Sequence, residues 1–175
     1  MKNHHVSGKE RFFHDDELIV SKTNLQGKLT YTNRMFLSIS DYTEAEVLGQ
    51  PHSIIRHPHM PRSIFKFLWE TIQNGDEIFA YVINRAKNGD HYWVLAHITP
   101  SKDAGGQIIG YHSNRRTPDR QILNKIITPL YSSLLKIENT TSDRKLGLKQ
   151  SYDELMAVIS SKEIEYDEFI ATLSA

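Results

Sequence analysis

Between Ile78 and Asn114 the chain alternates β-prone runs with turn chemistry twice, and this stretch restricts the fold more than any other. Ile78 to Arg85, His91 to Pro100 and Ile108 to Asn114 are rich in branched and aromatic residues. Ala86-Lys87-Asn88-Gly89-Asp90 separates the first two, and its Asn-Gly step suits the positive φ of a hairpin turn. Asp103-Ala104-Gly105-Gly106 separates the second from the third. The pattern predicts a three-strand antiparallel meander, which needs other elements to cover at least one of its faces.

The covering elements lie upstream. Glu17 to Thr23 and Lys28 to Thr32 read as a hairpin about the turn Asn24-Leu25-Gln26-Gly27. From Asn33 to Pro61 come short helical pieces broken by glycine and proline, one of them opened by a Thr43/Glu46 capping box. Pro61 to Asn74 is a longer helix, with Ile64, Leu68 and Ile72 in one row and Phe65 and Trp69 beside it. The whole predicts an α+β fold, a five-stranded antiparallel sheet with helices on one face, followed by a C-terminal helical extension.

In that extension Thr117-Pro118 reads as an N-cap followed by proline at the first helical position. Leu123, Ile126, Ile127, Leu130 and Leu134 form a stripe that Pro129 should bend or restart. Two further stripes follow: Leu148, Tyr152, Leu155, Met156 and Ile159, then Tyr166, Phe169, Ile170 and Leu173 after a Ser160/Glu163 capping pattern. Each must be buried against the sheet, a second copy or a partner. The expected organisation is a polar leader over 1–15, a core domain over 16–117 and amphipathic helices over 118–175.

Composition narrows the function. Lysine plus arginine and aspartate plus glutamate stand at 21 each, so no net field gathers nucleic acid. With no cysteine there are no disulfides, thiolate metal sites or cysteine nucleophiles. No apolar run of about 18 residues is available to span a bilayer, and the first residues have no signal-peptide core, which makes the cytoplasm the expected location without direct membrane insertion. There is no Gly-x-Ser-x-Gly elbow and no phosphate loop, so a non-enzymatic role is expected.

Two clusters are candidates for binding. Pro51 to Pro61 holds His52, Arg56, His57 and His59 on a proline-stiffened loop, which serves either to solvate a turn or to hold a cation and imidazoles towards a planar or anionic ligand. Trp69, Phe79, Tyr81, Tyr92 and Trp93 are either core or the walls of a cleft, with Asn33 and Asn84 as polar groups that suit a flat heterocycle. The histidine spacing is poor for zinc, and no metal site is expected. One histidine in an apolar pocket is enough to ligate haem.

Asp41-Tyr42-Thr43, Gly49-Gln50-Pro51-His52, Arg56-His57-Pro58, Met60-Pro61 and Lys87-Asn88-Gly89-Asp90-His91-Tyr92-Trp93 closely resemble the PAS domain of Aer-type aerotaxis receptors, over about residues 16–117. The resemblance implies non-covalent FAD, with Arg56 and His57 at the cofactor and Asn33, Trp69, Asn84 and Trp93 lining or bordering its pocket. Where the receptor motif carries an aspartate after His-Pro, this chain has His59, which bears on cofactor choice. It also implies a redox or oxygen sensor for energy taxis. The receptors' membrane anchor and signalling coiled coil have no counterpart in this sequence, as in split systems where a soluble PAS protein works with a separate membrane-bound, methyl-accepting partner. The alternatives are a haem b gas sensor, a cofactor-free dimerisation module in which the helical stripes form a homodimer interface, and a small flavin oxidoreductase.

Overall fold

A computed structural model of the protein describes residues 5–161 and Ile170. The hairpin strands are β1 (Ile19–Thr23) and β2 (Leu29–Thr32), and the meander is β3 (Ile78–Arg85), β4 (His91–Lys102) and β5 (Ile108–Arg116). All pair antiparallel in the order β2-β1-β5-β4-β3, so the first hairpin joins the meander through β5. Between the two sets lie α1 (Arg34–Ser40), α2 (Glu44–Val47), a 3-10 turn (His52–Ile55) and α3 (Arg62–Gln73). The predicted sheet is present, and α3 buries Ile64, Leu68 and Ile72 as its spacing requires.

Two strands outrun their sequence limits. β4 continues through Pro100 to Lys102, because its ladder with β3 ends at the Ile78–Ile98 pair and the missing proline N–H breaks no bond on that side. β5 continues past Asn114 through Arg115 and Arg116, which pair with Ala96 and Leu95. An Arg-Arg step reads as a strand end in sequence, yet the Arg115 side chain turns inward.

Both free edges of the sheet are met by the loop before α3. At β2, the N–H of Leu29 donates to the carbonyl of Gln50, that of Gly49 donates to Leu29, and Lys28 bridges Pro51. At β3, Arg56 bridges Asn84. The leader is also tied down: the N–H of Ser7 donates to Gly89, and Lys9 and Arg11 exchange backbone bonds with His91. The Arg11 side chain ion-pairs with Asp90 and Asp41.

In the extension Asp119, not Thr117, caps the first helix, α4 (Arg120–Ile122), and its carboxylate accepts from the N–H groups of Gln121 and Ile122. A carboxylate that takes two orphan donors outcompetes a hydroxyl, and Thr117 donates to Asp15 instead. A π-helical segment (Leu123–Ile127) then leads into α5 (Thr128–Glu138), with Pro129 in its first turn. The widened turn sits where the proline offers no N–H to the preceding carbonyls.

From α5, Tyr131 donates to the carbonyl of Tyr81 and sets its ring 6.0 Å from that of Trp93, beside the free edge of β3. The next helix, α6 (Arg144–Ser160), lies on α3, where the Ser63 and Ser151 hydroxyls meet at 2.8 Å. Of the described helical stripes, Leu123, Ile127, Leu134, Leu155 and Ile159 are buried on the domain itself, and Ile126 is exposed. The stripe Tyr166, Phe169, Ile170 and Leu173 and the Glu163 cap lie outside the described residues, apart from Ile170, which is buried.

Candidate functional site

A cavity of about 410 Å³ opens between α3 and the sheet. α3 contributes Phe65, Leu68, Trp69 and Ile72, and the sheet contributes Val82, Ala96 and Ile98 as apolar floor. That volume and lining suit a flat organic ligand. Gly27, at φ +71°, lets the indole approach: a Cβ there would lie 2.9 Å from Trp69 Cη2. Trp69 also meets Tyr111 edge to face, with ring centroids 5.4 Å apart.

The polar groups of the cavity are biased towards donors. Asn84 Nδ2, Ser113 Oγ and Arg115 Nη1 are buried without a hydrogen-bond partner. The lining holds Arg56, Lys66 and Arg115 and no carboxylate. Arg115 is 3% exposed, and its Nη2 donates to Ser21 Oγ at 2.9 Å and His52 Nε2 at 2.6 Å. Burial draws this guanidinium down to about 10, which leaves it charged at neutral pH. Burial, and then the Arg115 charge, hold the His52 imidazole down to about 3. His52 is therefore neutral and accepts at Nε2, which puts its proton on Nδ1.

Of the residues expected at the site, the structure brings Arg56, Trp69 and Asn84 to the cavity. Arg56 packs its guanidinium 4.2 Å from the Phe65 ring centroid and reaches the Met60 carbonyl at 3.4 Å. Burial lowers its pKa. His57, next along the bridge to β3, turns to the other side, because adjacent residues of an extended segment alternate. It is 3% exposed there, accepts the His59 N–H at Nδ1, and packs against the rings of His59 and His91. Burial and those neighbours lower it to about 4.

Asn33, His59 and Trp93 also lie outside the cavity lining. Asn33 caps α1: its Oδ1 accepts from the N–H groups of Phe36 and Val20, and its amide donates to the Leu18 carbonyl. Trp93 pairs with Ile83 on the sheet face opposite Val82 and Asn84, where Tyr131 covers it. Ser21, Ser113 and Arg115 also line the cavity and belong to no motif of the sequence. They stand at inward positions of β1 and β5, a parity that the pairing of the strands sets.

Residues 29–115 match the family model described as the PAS fold. The chain is 43% identical over 121 residues to the aerotaxis receptor of Escherichia coli (strain K12), covering 69% of this chain and 23% of that receptor. It is 28% identical over 97 residues to the nitrogen fixation regulatory protein of Klebsiella pneumoniae, covering 55% of this chain and 20% of that protein. The chain therefore spans less than a quarter of the length of these relatives. Among solved structures, the light state of the blue-light photoreceptor Aureochrome1 LOV superposes with a TM-score of 0.56 at 19% identity, over 63% of this chain and 89% of that one, a likeness of fold.

Proposed function

Because the chain belongs, over residues 29–115, to the PAS fold family in its aerotaxis-receptor type, we propose that it is a flavin-binding redox sensor that holds FAD and signals to a chemoreceptor-type partner. The observation that carries this reading is the set of orphaned donors, Asn84 Nδ2, Ser113 Oγ and Arg115 Nη1, on a cavity whose floor of Val82, Ala96 and Ile98 is apolar. Buried donors without partners are costly, and a ring edge rich in carbonyl and nitrogen acceptors satisfies them. A bound flavin supplies a ring whose charge and hydrogen bonding change with its redox state. Asn84 senses such a change because an amide offers both donor and acceptor.

α3 is the route outward. Phe65, Lys66 and Trp69 line the cavity, and the same helix holds the extension: Lys66 lies 3.5 Å from the Tyr152 ring centroid, Tyr152 donates to Glu70, and Arg62 pairs with Glu138. A signalling ligand must favour one arrangement of this contact over another. No described helix is long and apolar enough to cross a membrane. This is compatible with a cytoplasmic module that acts through a membrane-bound, methyl-accepting partner.

The test is an absorption spectrum of gently purified protein, followed by identification of the chromophore released on denaturation. FAD is expected, and Asn84→Ala should weaken its retention at least tenfold. A Soret band would replace this reading with haem. Against haem stands His52, whose Nε2 already accepts from Arg115. A protein that stays colourless after reconstitution with both would leave a cofactor-free interaction module.

A further inference from the structure

Arg115 is a buried cation that lacks an anion. Among the described residues no carboxylate lies within ion-pair distance, and its two side-chain hydrogen-bond partners, Ser21 and His52, and the Phe36 ring 5.9 Å away are neutral. Tyr92 acts on it electrostatically but is itself wholly buried, and burial pushes its hydroxyl up, so it too is neutral. A desolvated guanidinium with neutral partners is an expensive arrangement that a negative charge would relieve. Nη1 has no partner, and Ser113, two residues back along β5 on the same face, adds a second orphaned donor.

We infer that Arg115 and Ser113 form an anion seat at the inner end of the cavity, with Ser21 and His52 as positioning residues, and that it takes negative charge on the ligand's ring. This rests on the flavin reading. The ring, not the phosphates, is assigned to the seat because the multiply charged tail is best left where water reaches it, near the half-buried Arg56 and Lys66, whereas the apolar floor of Val82, Ala96 and Ile98 suits a heterocycle. Two electrons from a reductant such as dithionite, itself oxidised to sulfite, and one proton from water leave the ring with one negative charge. Arg115 stabilises that form over the neutral oxidised one and so raises the reduction potential.

The test measures the potential of FAD-loaded protein by dye equilibration. Arg115→Gln should lower the reduced-to-oxidised ratio at a given potential at least tenfold, a shift of about 30 mV for two electrons. Affinity for reduced FAD should fall at least tenfold more than affinity for oxidised FAD. Arg115→Lys keeps the charge and should stay within threefold of wild type in the ratio. If the glutamine variant does not fold, Ser113→Ala, which removes the second orphaned donor, should lower the ratio, and an unchanged ratio would overturn the seat. Equal potentials in all three would overturn the seat while leaving the flavin reading intact. If no flavin binds, that reading fails and the seat is tested alone with anilinonaphthalene sulfonate and its neutral parent. Wild-type protein should prefer the anion, and Arg115→Gln should lose at least tenfold of that preference. No loss would overturn the seat.

Discussion

At the scale of the residue, adjacency misleads more than distance does. Arg56 and His57 carry one motif, yet their backbone bridges an edge strand, and only Arg56 reaches the cavity. Gly27 is the opposite case, a turn glycine whose significance lies in the ring it admits. Gly27→Ala should cost about 1–2 kcal/mol from the positive φ alone and more from displacement of Trp69, read by urea unfolding. The two depressed imidazoles set a pH dependence. His52 and His57 titrate in the fold near 3 and 4, against an ordinary value of 6.5, so the fold favours their neutral forms. Their contribution to stability is complete above pH 6.5 and declines as pH falls towards those values. Each takes up close to one proton on unfolding, a slope of about 1.4 kcal/mol per pH unit per proton. His52→Gln should flatten the curve between pH 6 and 4 relative to wild type, and an unchanged slope would show that His52 is not held neutral. The identity of Arg56, Trp69 and Asn84 as cavity residues was legible from motif and composition. The inward turn of Arg115 was not, because parity is fixed only when β5 finds its register against β1 and β4.

At the scale of the element, the hairpin turns and the α3 row were written in the sequence by local chemistry, and the strand ends were not, because pairing partners decide them. The extension's stripes announced burial without naming a surface. The structure supplies it through a polar lock: the Glu138 carboxylate, 5% exposed, accepts from Arg62 Nε at 2.9 Å and from the N–H of Ser63 at 3.0 Å, at the start of α3. Glu138→Ala leaves both donors unpaired and should cost about 2–4 kcal/mol, with faster amide exchange in α6 than in the sheet. Gly147 sets the approach of α6 to α5, since a Cβ there would lie 2.5 Å from the Glu138 carbonyl oxygen. Gly147→Ala should therefore loosen the same contact without altering charge, and thermal melts of the two variants should move in the same direction.

At the scale of the whole molecule, ligand and fold are linked by mass action. FAD at about a hundred times its dissociation constant should stabilise the protein by about 2.7 kcal/mol, a rise in melting temperature of roughly 5–10 °C for a chain of this size. A melting temperature indifferent to FAD would count against binding in the cavity. The cavity itself follows from a length. The loop that joins β2 at Pro51 also joins β3 at Arg56, and a flat sheet would hold those two docking positions six strand spacings apart, about 29 Å. The chain between them reaches at most about 18 Å, and less where it coils as a 3-10 turn. The loop is a bowstring and the sheet the bow: a string this short keeps the bow bent, and the hollow between them is where a ligand fits. Residues inserted between His52 and Ile55 would slacken the string and flatten the hollow without touching one side chain that lines its floor.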